Sequence, residues 1–450
     1  MSSPKFEEFL SKVTSKVKSK EAHNRIKKEL THHLQELSQS YKKRGFSEEE
    51  SDEKAIQEMG NPFIIGEKLN PLHKPKMDWI LIALFVIFAS ISFLPLVGGI
   101  PGISSSITHI MGRQGIWYSL AALVIIGVLS FNYQKSKNWW MHFYAIGLFI
   151  HVYLYLFGYT VNGAKRWISL PGLTVDGTIL SLFFFFLAWA GIFNKINEFR
   201  SWKKQGFLLV LFWMPILLYM IVPNFMVGVI YFFCLLGMFT VARVHKKLAI
   251  NLFVSNLVAG IIFIIMIITT TSHQSYLLTR LSTFINPNAD PNGAGYMYMV
   301  VRNVLAEAGW FGNGLNNDLK FQLLPESHTD FAFPFLVYSL GWTFGIGLCL
   351  VLLIFILRIS KNAFKTKDLY GRLIVIGGAV LFAVPTTWNI LMAFGIVPIM
   401  EVSLPFISYG GSAILFYAAV LGFILNVYRR KDIVEPTIAD DIKIYSQKSE

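Results

Sequence analysis

Three short stretches of this 450-residue chain hold residues that could do chemistry. LPESHTDFAF, residues 324–333, sets Glu326, His328 and Asp330 against the start of a long apolar run. An acid at such an edge is partly desolvated, which raises its pKa toward that of a working base. Asp330 could equally cap the helix that the apolar run predicts. Capping accounts for one acid and leaves Glu326 and His328 unexplained. NGAKRWISLPG, residues 162–172, carries Lys165 and Arg166 beside Trp167. The pair reads as an anion site, because Arg suits phosphate, or as interfacial charges next to an aromatic anchor. EVSLPFISYGGSAI, residues 401–414, holds Ser408 and Tyr409 just before Gly410 and Gly411. It reads as a turn that shapes a substrate cavity, or as a tight turn whose glycines let helices approach closely.

The elements that position these stretches follow from composition. The chain is 54% hydrophobic and 15% charged, against about 25% charged in average soluble domains. Apolar runs of about 20 residues recur along most of it. The fold class is therefore an all-α polytopic membrane protein. A soluble globule is excluded, and so is an outer-membrane barrel, whose strands would alternate. Ten transmembrane helices are expected, with cores near 78–98, 115–132, 139–158, 178–194, 207–222, 225–242, 248–270, 331–357, 372–396 and 412–428.

The net charge of +13 follows the positive-inside rule and points to no nucleic acid. One set of short connections holds Lys135 and Lys137, Lys195 to Lys204, Arg243 to Lys247, Arg358 to Arg372, and Arg429 to Lys431. The opposite set holds only Arg113, Lys165, Arg166, Arg280, Arg302 and Lys320. The first set is cytoplasmic, so both termini are expected inside. The loops 159–177, 271–330 and 397–411 then face outward. Only the second is long, and long loops in compact proteins are usually functional.

Residues 1–77 read as a separate cytoplasmic module of three helices, with 15 basic and 12 acidic residues in near balance. Gly45 ends one helix, Ser47 and Glu50 form a capping box for the next, and Gly60, Asn61 and Pro62 close it. Residues 432–450 read as a cytoplasmic tail. The polar N-terminal region carries no cleavable signal, so the first membrane helix is expected to direct insertion. Cys234 and Cys349 lie inside apolar runs and suggest neither a disulfide framework nor a metal site. In the long loop, VVRNVLAEAGWFGNGL predicts a short amphipathic helix followed by glycine turns. Its glycines do not make a dinucleotide fingerprint, since no strand precedes them.

GAKRWISL, RLSTFINPNADPNGAGY, GNGL, LPESHTDFAF and LPFISYGGS, in this order and on one side, resemble the shape, elongation, division and sporulation (SEDS) family typified by RodA and FtsW. The resemblance covers residues 79–431. It implies a peptidoglycan glycosyltransferase that polymerises lipid II, a polyprenyl-diphosphate-linked disaccharide peptide, on the outer face of the cytoplasmic membrane. It implies a class B penicillin-binding protein as partner, Asp330 as catalytic residue, and a requirement for Arg166 and Trp167. Glycan polymerisation needs a base for the attacking hydroxyl and positive charge for the departing diphosphate. Lys165, Arg166, Arg280 and Arg302 are the candidate diphosphate contacts, with Glu326, His328, Ser408 and Tyr409 as further substrate-binding candidates. A divalent cation, Mg²⁺ or Mn²⁺, could accompany the diphosphate.

Three departures from the family pattern stand out. Asp176, Gly177, Thr178 and Ile179 replace a Gln-Pro-Ser-Glu run, and Leu182 stands where the fourth helix usually carries a Lys. VYSLGW, with Tyr338, Ser339 and Leu340, replaces an acidic pair and glycine. MYMVVRNVLAEAGW replaces a polar Gly-Ser-rich part of the long loop. Without the Lys, Asp330 should have a raised pKa unless another cation such as Arg166 substitutes. Two alternatives stay open beside the enzyme: a catalytically degenerate partner or regulator of a penicillin-binding protein, and a flippase for lipid-linked precursors. A flippase would place its ionisable groups near the bilayer midplane.

Overall fold

The computed structural model describes residues 3–97, 107–161, 163–170, 173–269, 279–315 and 324–433. Lys320, parts of three interhelical connections and the tail beyond residue 433 lie outside the described residues. The chain divides into two compact units. The first is Met1–Asp78 with Phe364–Leu369 and Val427–Glu450; the second is Trp79–Ala363 with Tyr370–Asn426.

The first unit begins with four helices: α1 (Pro4–Ser15), α2 (Lys20–Lys43), α3 (Glu48–Met59) and α4 (Pro62–Leu72). The sequence predicts three. The extra helix arises at Gly60-Asn61-Pro62, which not only ends α3 but starts α4. The Asn61 side chain accepts from the Phe63 amide, and Pro62 occupies the first turn, where its missing N–H costs nothing. The expected capping box of Ser47 and Glu50 is present. Phe6, Phe9, Leu10, Val13, Ile26 and Leu34 form the core, and Ile433 of the C-terminal segment joins it. Arg430 grips Glu21 with two nitrogens, at 2.8 and 3.1 Å.

The rest of the chain runs through α5 (Trp79–Ile91), α6 (Ile107–Ser130), α7 (Trp140–Phe157), α8 (Gly177–Asn194), α9 (Trp202–Ile221), α10 (Phe225–Val241), α11 (Lys246–Thr269), the short α12 (Tyr296–Ala306), α13 (Ala332–Lys365), α14 (Leu369–Ala393) and α15 (Gly411–Arg430). Among the described residues nine helices are long and apolar enough to cross a membrane. The shorter apolar α10 completes the expected ten.

Two features depart from the sequence reading. The connection 159–177 is not an irregular loop but an antiparallel meander of β1 (Tyr159–Val161), β2 (Ala164–Leu170) and β3 (Leu173–Asp176), in the order β1-β2-β3. Val161, Trp167, Ile168, Thr174 and Val175 supply the β-branched and aromatic residues that favour strands. The short polar interruptions between them had masked that pattern. Trp167 pairs with Asp176 across the last two strands.

The eighth span is longer than expected and broken. Gly341 sits inside α13 at φ 86°, ψ 170°, outside helical geometry. The Gly309–Gly314 turn docks on the break. Asn313 and Gly314 donate to the carbonyls of Tyr338 and Ser339, while Trp342 and Thr343 donate to those of Gly309 and Trp310. The two backbones touch because glycines face each other. A Cβ on Gly312 would lie 2.4 Å from the Ser339 oxygen, and one on Gly341 2.2 Å from the Trp310 oxygen. VYSLGW, the second departure from the family pattern, is therefore the seat for the long loop's glycine turn.

Candidate active site

The loops 324–331 and 401–410 meet at the C-terminal end of α14, and backbone-directed hydrogen bonds stitch them together. Ser408 Oγ donates to the Thr329 carbonyl at 2.6 Å and accepts from the Leu404 amide at 2.8 Å. The Tyr409 amide donates to the His328 carbonyl at 2.7 Å. Asn389, fully buried on α14, donates to the carbonyls of Asp330 and Val402 at 2.8 and 2.7 Å. Each loop also contains a non-glycine residue at positive φ: Glu326 at 54° and Phe406 at 60°. Such strain persists only where surrounding contacts over-determine the backbone, and it concentrates at functional sites.

This scaffold fixes the backbone of Asp330 and leaves its carboxylate without a hydrogen-bond donor among the described residues. The capping alternative is therefore not what the side chain does. Burial pushes the Asp330 carboxyl up to about 7; Glu401 and Glu326 push the same way, and Arg166 opposes them. A carboxyl there is half-ionised near neutral pH, which suits a general base.

Arg166 comes from the β-meander. Its guanidinium lies 2.5 Å from Glu401 Oε2, and its Nε lies 3.5 Å from Asp176 Oδ2. The second contact is an ion pair without hydrogen-bond alignment, since Nε finds no bonded partner. Asp176 Oδ1 caps α8, accepting from the Thr178 amide at 2.8 Å and from the Thr178 hydroxyl at 2.5 Å. Burial pushes the Asp176 carboxyl up, opposed by Arg166 and the Thr178 donors. Thr178 Oγ1 in turn accepts from Asn224, which caps α10. A polar chain thus runs Glu401, Arg166, Asp176, Thr178, Asn224, and ties the meander to α8 and α10. Leu182, at the place of the expected Lys, is buried among apolar neighbours.

The other residues singled out in the sequence separate into groups. Trp167 stacks beside Arg166, with its ring centre 5.5 Å from the guanidinium carbon. Lys165 is engaged elsewhere: its ammonium caps α7 through the carbonyls of Tyr155 and Leu156, at 2.7 and 3.2 Å. Arg280 donates to the Ile399 carbonyl at 3.1 Å and so braces the loop that carries Glu401. Arg302 is exposed on α12. The His328 ring lies 5.8 Å from that of Tyr409. Burial pushes its pKa down, with Glu326 opposing, which favours the neutral ring. Glu326 accepts from the Thr329 hydroxyl at 2.6 Å, locking its own strained turn. Ser408 is a stitch between the loops. Gly411 presses against the Trp117 ring, where a Cβ would come within 2.0 Å, so close helix packing is part of that motif.

Glu401, Asp176, Asn224 and Asn389 were not among the residues read as functional from sequence. Asn389 carried a usable signal, as an amide inside an apolar helix. Asp176 sat in plain view at a helix start. Nothing local marks Glu401 as a partner of Arg166. Among the described residues no group of three His, Cys, Asp or Glu side chains is arranged to hold a metal ion. An apolar cavity of about 730 Å³ is lined by α8, α9, α10 and α11, with Trp189, Phe212, Trp213 and Phe232 in its wall. It includes Met400, next to Glu401.

Comparison with known proteins agrees with this architecture. The FtsW/RodA/SpoVE family, described as "Cell cycle protein", matches residues 75–433. A relative named "Probable peptidoglycan glycosyltransferase FtsW" from Alteromonas naphthalenivorans is 30% identical over 70% of this chain, and the match spans 61% of that relative's length. One of the same name from Aliivibrio salmonicida is 30% identical, covering 71% of this chain and 80% of the relative. Among solved structures, a chain from "Structural coordination of polymerization and crosslinking by a peptidoglycan synthase complex" superposes with a TM-score of 0.65 at 21% identity. That match covers 79% of this chain and 98% of that one. The crystal structure of Thermus thermophilus rod shape determining protein RodA gives 0.56 at 20% identity, covering 79% and 97%. With the family pattern running through all ten spans and both stitched loops, the chain belongs to the FtsW/RodA/SpoVE family.

Proposed function

We propose that this protein is a peptidoglycan glycosyltransferase that polymerises lipid II at the outer face of the cytoplasmic membrane, with Asp330 as the base. The observation that carries the reading is the buried Asp330 carboxyl, on a loop stitched to 401–410, whose Glu401 holds Arg166. A carboxyl that ionises near neutral pH lies within electrostatic reach of a guanidinium held on a different element. Asp330 takes the proton from the acceptor sugar hydroxyl as its oxygen bonds to the donor's anomeric carbon. The bond from that carbon to the diphosphate breaks, and the leaving group departs with the electron pair. Arg166, fixed before the reaction, stabilises the charge that develops there; Arg280 and the exposed Arg302 are secondary candidates. The polyprenyl tail must stay in the bilayer while the sugars stay in water, which puts the chemistry where α13 meets its outer loop. The apolar cavity that reaches Met400 is a fitting place for the tail.

A class B penicillin-binding protein is the proposed partner. The support is that one similar chain was solved in a structure described as a peptidoglycan synthase complex. The charge asymmetry of the connections supports a cytoplasmic position for both termini. A divalent cation, Mg²⁺ or Mn²⁺, would be held chiefly by the diphosphate itself, since among the described residues no three His, Cys, Asp or Glu side chains converge to hold one. The regulator reading rests on the loss of the fourth-helix Lys at Leu182. Arg166 weakens it by supplying a cation near Asp330. The test is polymerisation of labelled lipid II by purified protein, with and without a class B partner, beside Asp330→Ala. Glycan ladders that vanish in the variant support the enzyme. No ladders under any pairing, from folded protein that still binds the partner, would establish the regulator instead.

A further inference from the structure

The Arg166 guanidinium is held from two sides by residues of different origin. Asp176 is buried and already committed to capping α8. Glu401 is mostly exposed, yet it makes the shorter contact, at 2.5 Å. Its loop is not free to drift: Arg280 braces Ile399, Asn389 holds Val402, and Ser408 ties the following turn to Thr329. An exposed ion pair on mobile side chains contributes little. This one has both ends on backbone fixed by other bonds, so holding it costs less entropy.

We propose that Glu401 is a positioning residue for the glycosyl transfer: with Asp176 it grips Arg166 and keeps the guanidinium in place beside Asp330. The inference rests on the proposed function and deepens it. It explains how the site works with Leu182 where a Lys is expected. The cation is supplied by the meander, and a carboxylate from the loop before α15 holds it there. The arrangement has a second effect. The charged groups acting on Asp330 are Glu401 and Glu326, which raise its pKa, and Arg166, which lowers it. His328, two residues away, is pushed toward its neutral form by burial, and Arg280 is turned to the Ile399 carbonyl. Glu401 therefore does two things at once: it fixes the cation and keeps the base from ionising too early.

Glu401→Gln separates these effects from simple folding. Removing the carboxylate should shift the acid limb of the kcat/KM profile to lower pH by about half a unit or more, while Glu401→Asp restores most of the original profile. At the optimum the Gln variant should lose about tenfold in kcat with a smaller change in KM, as expected when a transition-state contact loosens. If wild type polymerises, Asp330→Ala is dead and Glu401→Gln keeps the wild-type pH profile, the inference falls and the proposed function stands. A second readout does not need activity. Asp330→Asn should raise Tm at pH 8 by more in the wild-type background than in the Glu401→Gln background, because the like charge it relieves is then absent. Equal increments in the two backgrounds would overturn the inference even for a protein that makes no glycan.

Discussion

In the N-terminal unit the observed structure obeys the local rules of helix capping, even where it adds a helix that the sequence reading left out. Ser47 and Glu50 close a capping box, Asn61 and Pro62 open a helix, and Arg430 meets Glu21 with two bonds. In the loops of the second unit local signals and structure conflict. Glu326 and Phe406 adopt positive φ without being glycine. The His328 Nδ1, Ser327 Oγ and Asn389 Oδ1 atoms are buried without a partner among the described residues. The difference separates a part selected to fold from a part selected to act. Local rules are broken around the proposed base, Asp330, and neighbouring bonds offset the cost.

That contrast can be broken by substitution. The largest effect should come from Asp330→Ala. Loss of a general base lowers polymerisation by about 10²- to 10⁴-fold, read from glycan ladders, while the far-UV CD spectrum stays unchanged. Arg166→Ala should follow, at about 10²-fold in kcat/KM. Arg166→Lys should recover only part of this, because an ammonium cannot reach both Asp176 and Glu401 as the planar fork does. Full activity in Arg166→Ala would remove the cation from the mechanism.

Asn389→Leu should act on stability first. It leaves the carbonyls of Asp330 and Val402 unpaired, at a cost of about 2–3 kcal/mol, visible as a lowered Tm in detergent. Asp330→Asn should do the opposite. A carboxyl raised to about 7 holds its proton in the folded state at pH values where the unfolded chain has lost it. Stability therefore falls as pH climbs from the ordinary carboxylate range through about 7. Removing that carboxyl should raise Tm by a few degrees at pH 8, and by less at pH 5. A uniform shift at both pH values would mean that Asp330 titrates normally. The smallest effect belongs to the N-terminal unit: Ser47→Ala should cost about 1 kcal/mol and leave the polymerisation rate per folded molecule unchanged.

Much of this was legible in the residues. Apolar runs of membrane length announce themselves, because a bilayer demands continuous helices, and the ten spans follow. Asp330 was legible because an acid at the edge of an apolar run has few structural excuses. The β-meander was not, since its strands are short and two lie between charged or glycine-rich residues. The Gly341 break was hidden inside a run whose composition reads as one helix. Arg166 was visible, but its companions were not. The Arg166–Glu401 pair joins positions more than 200 residues apart, and no periodicity in either neighbourhood predicts it. Pairing over such distances is a property of the packed structure alone. Lys165 shows the reverse error: two adjacent basic residues look alike in sequence, yet alternation along β2 sends one to a helix end and the other to the site.

The break in α13 also bears on membranes of different thickness. As an unbroken rod its 34 residues would run about 51 Å, longer than the roughly 30 Å hydrocarbon core they must cross. A rigid rod of that length would pass any change of tilt directly to its outer end. Gly341 divides it into a short outer piece locked to the Gly309–Gly314 turn and a longer inner piece that does the spanning. Tilt imposed by thicker or thinner lipid is absorbed at the joint. The loop that carries Asp330 is thereby separated from the spanning piece by a joint rather than joined to it by a rigid rod.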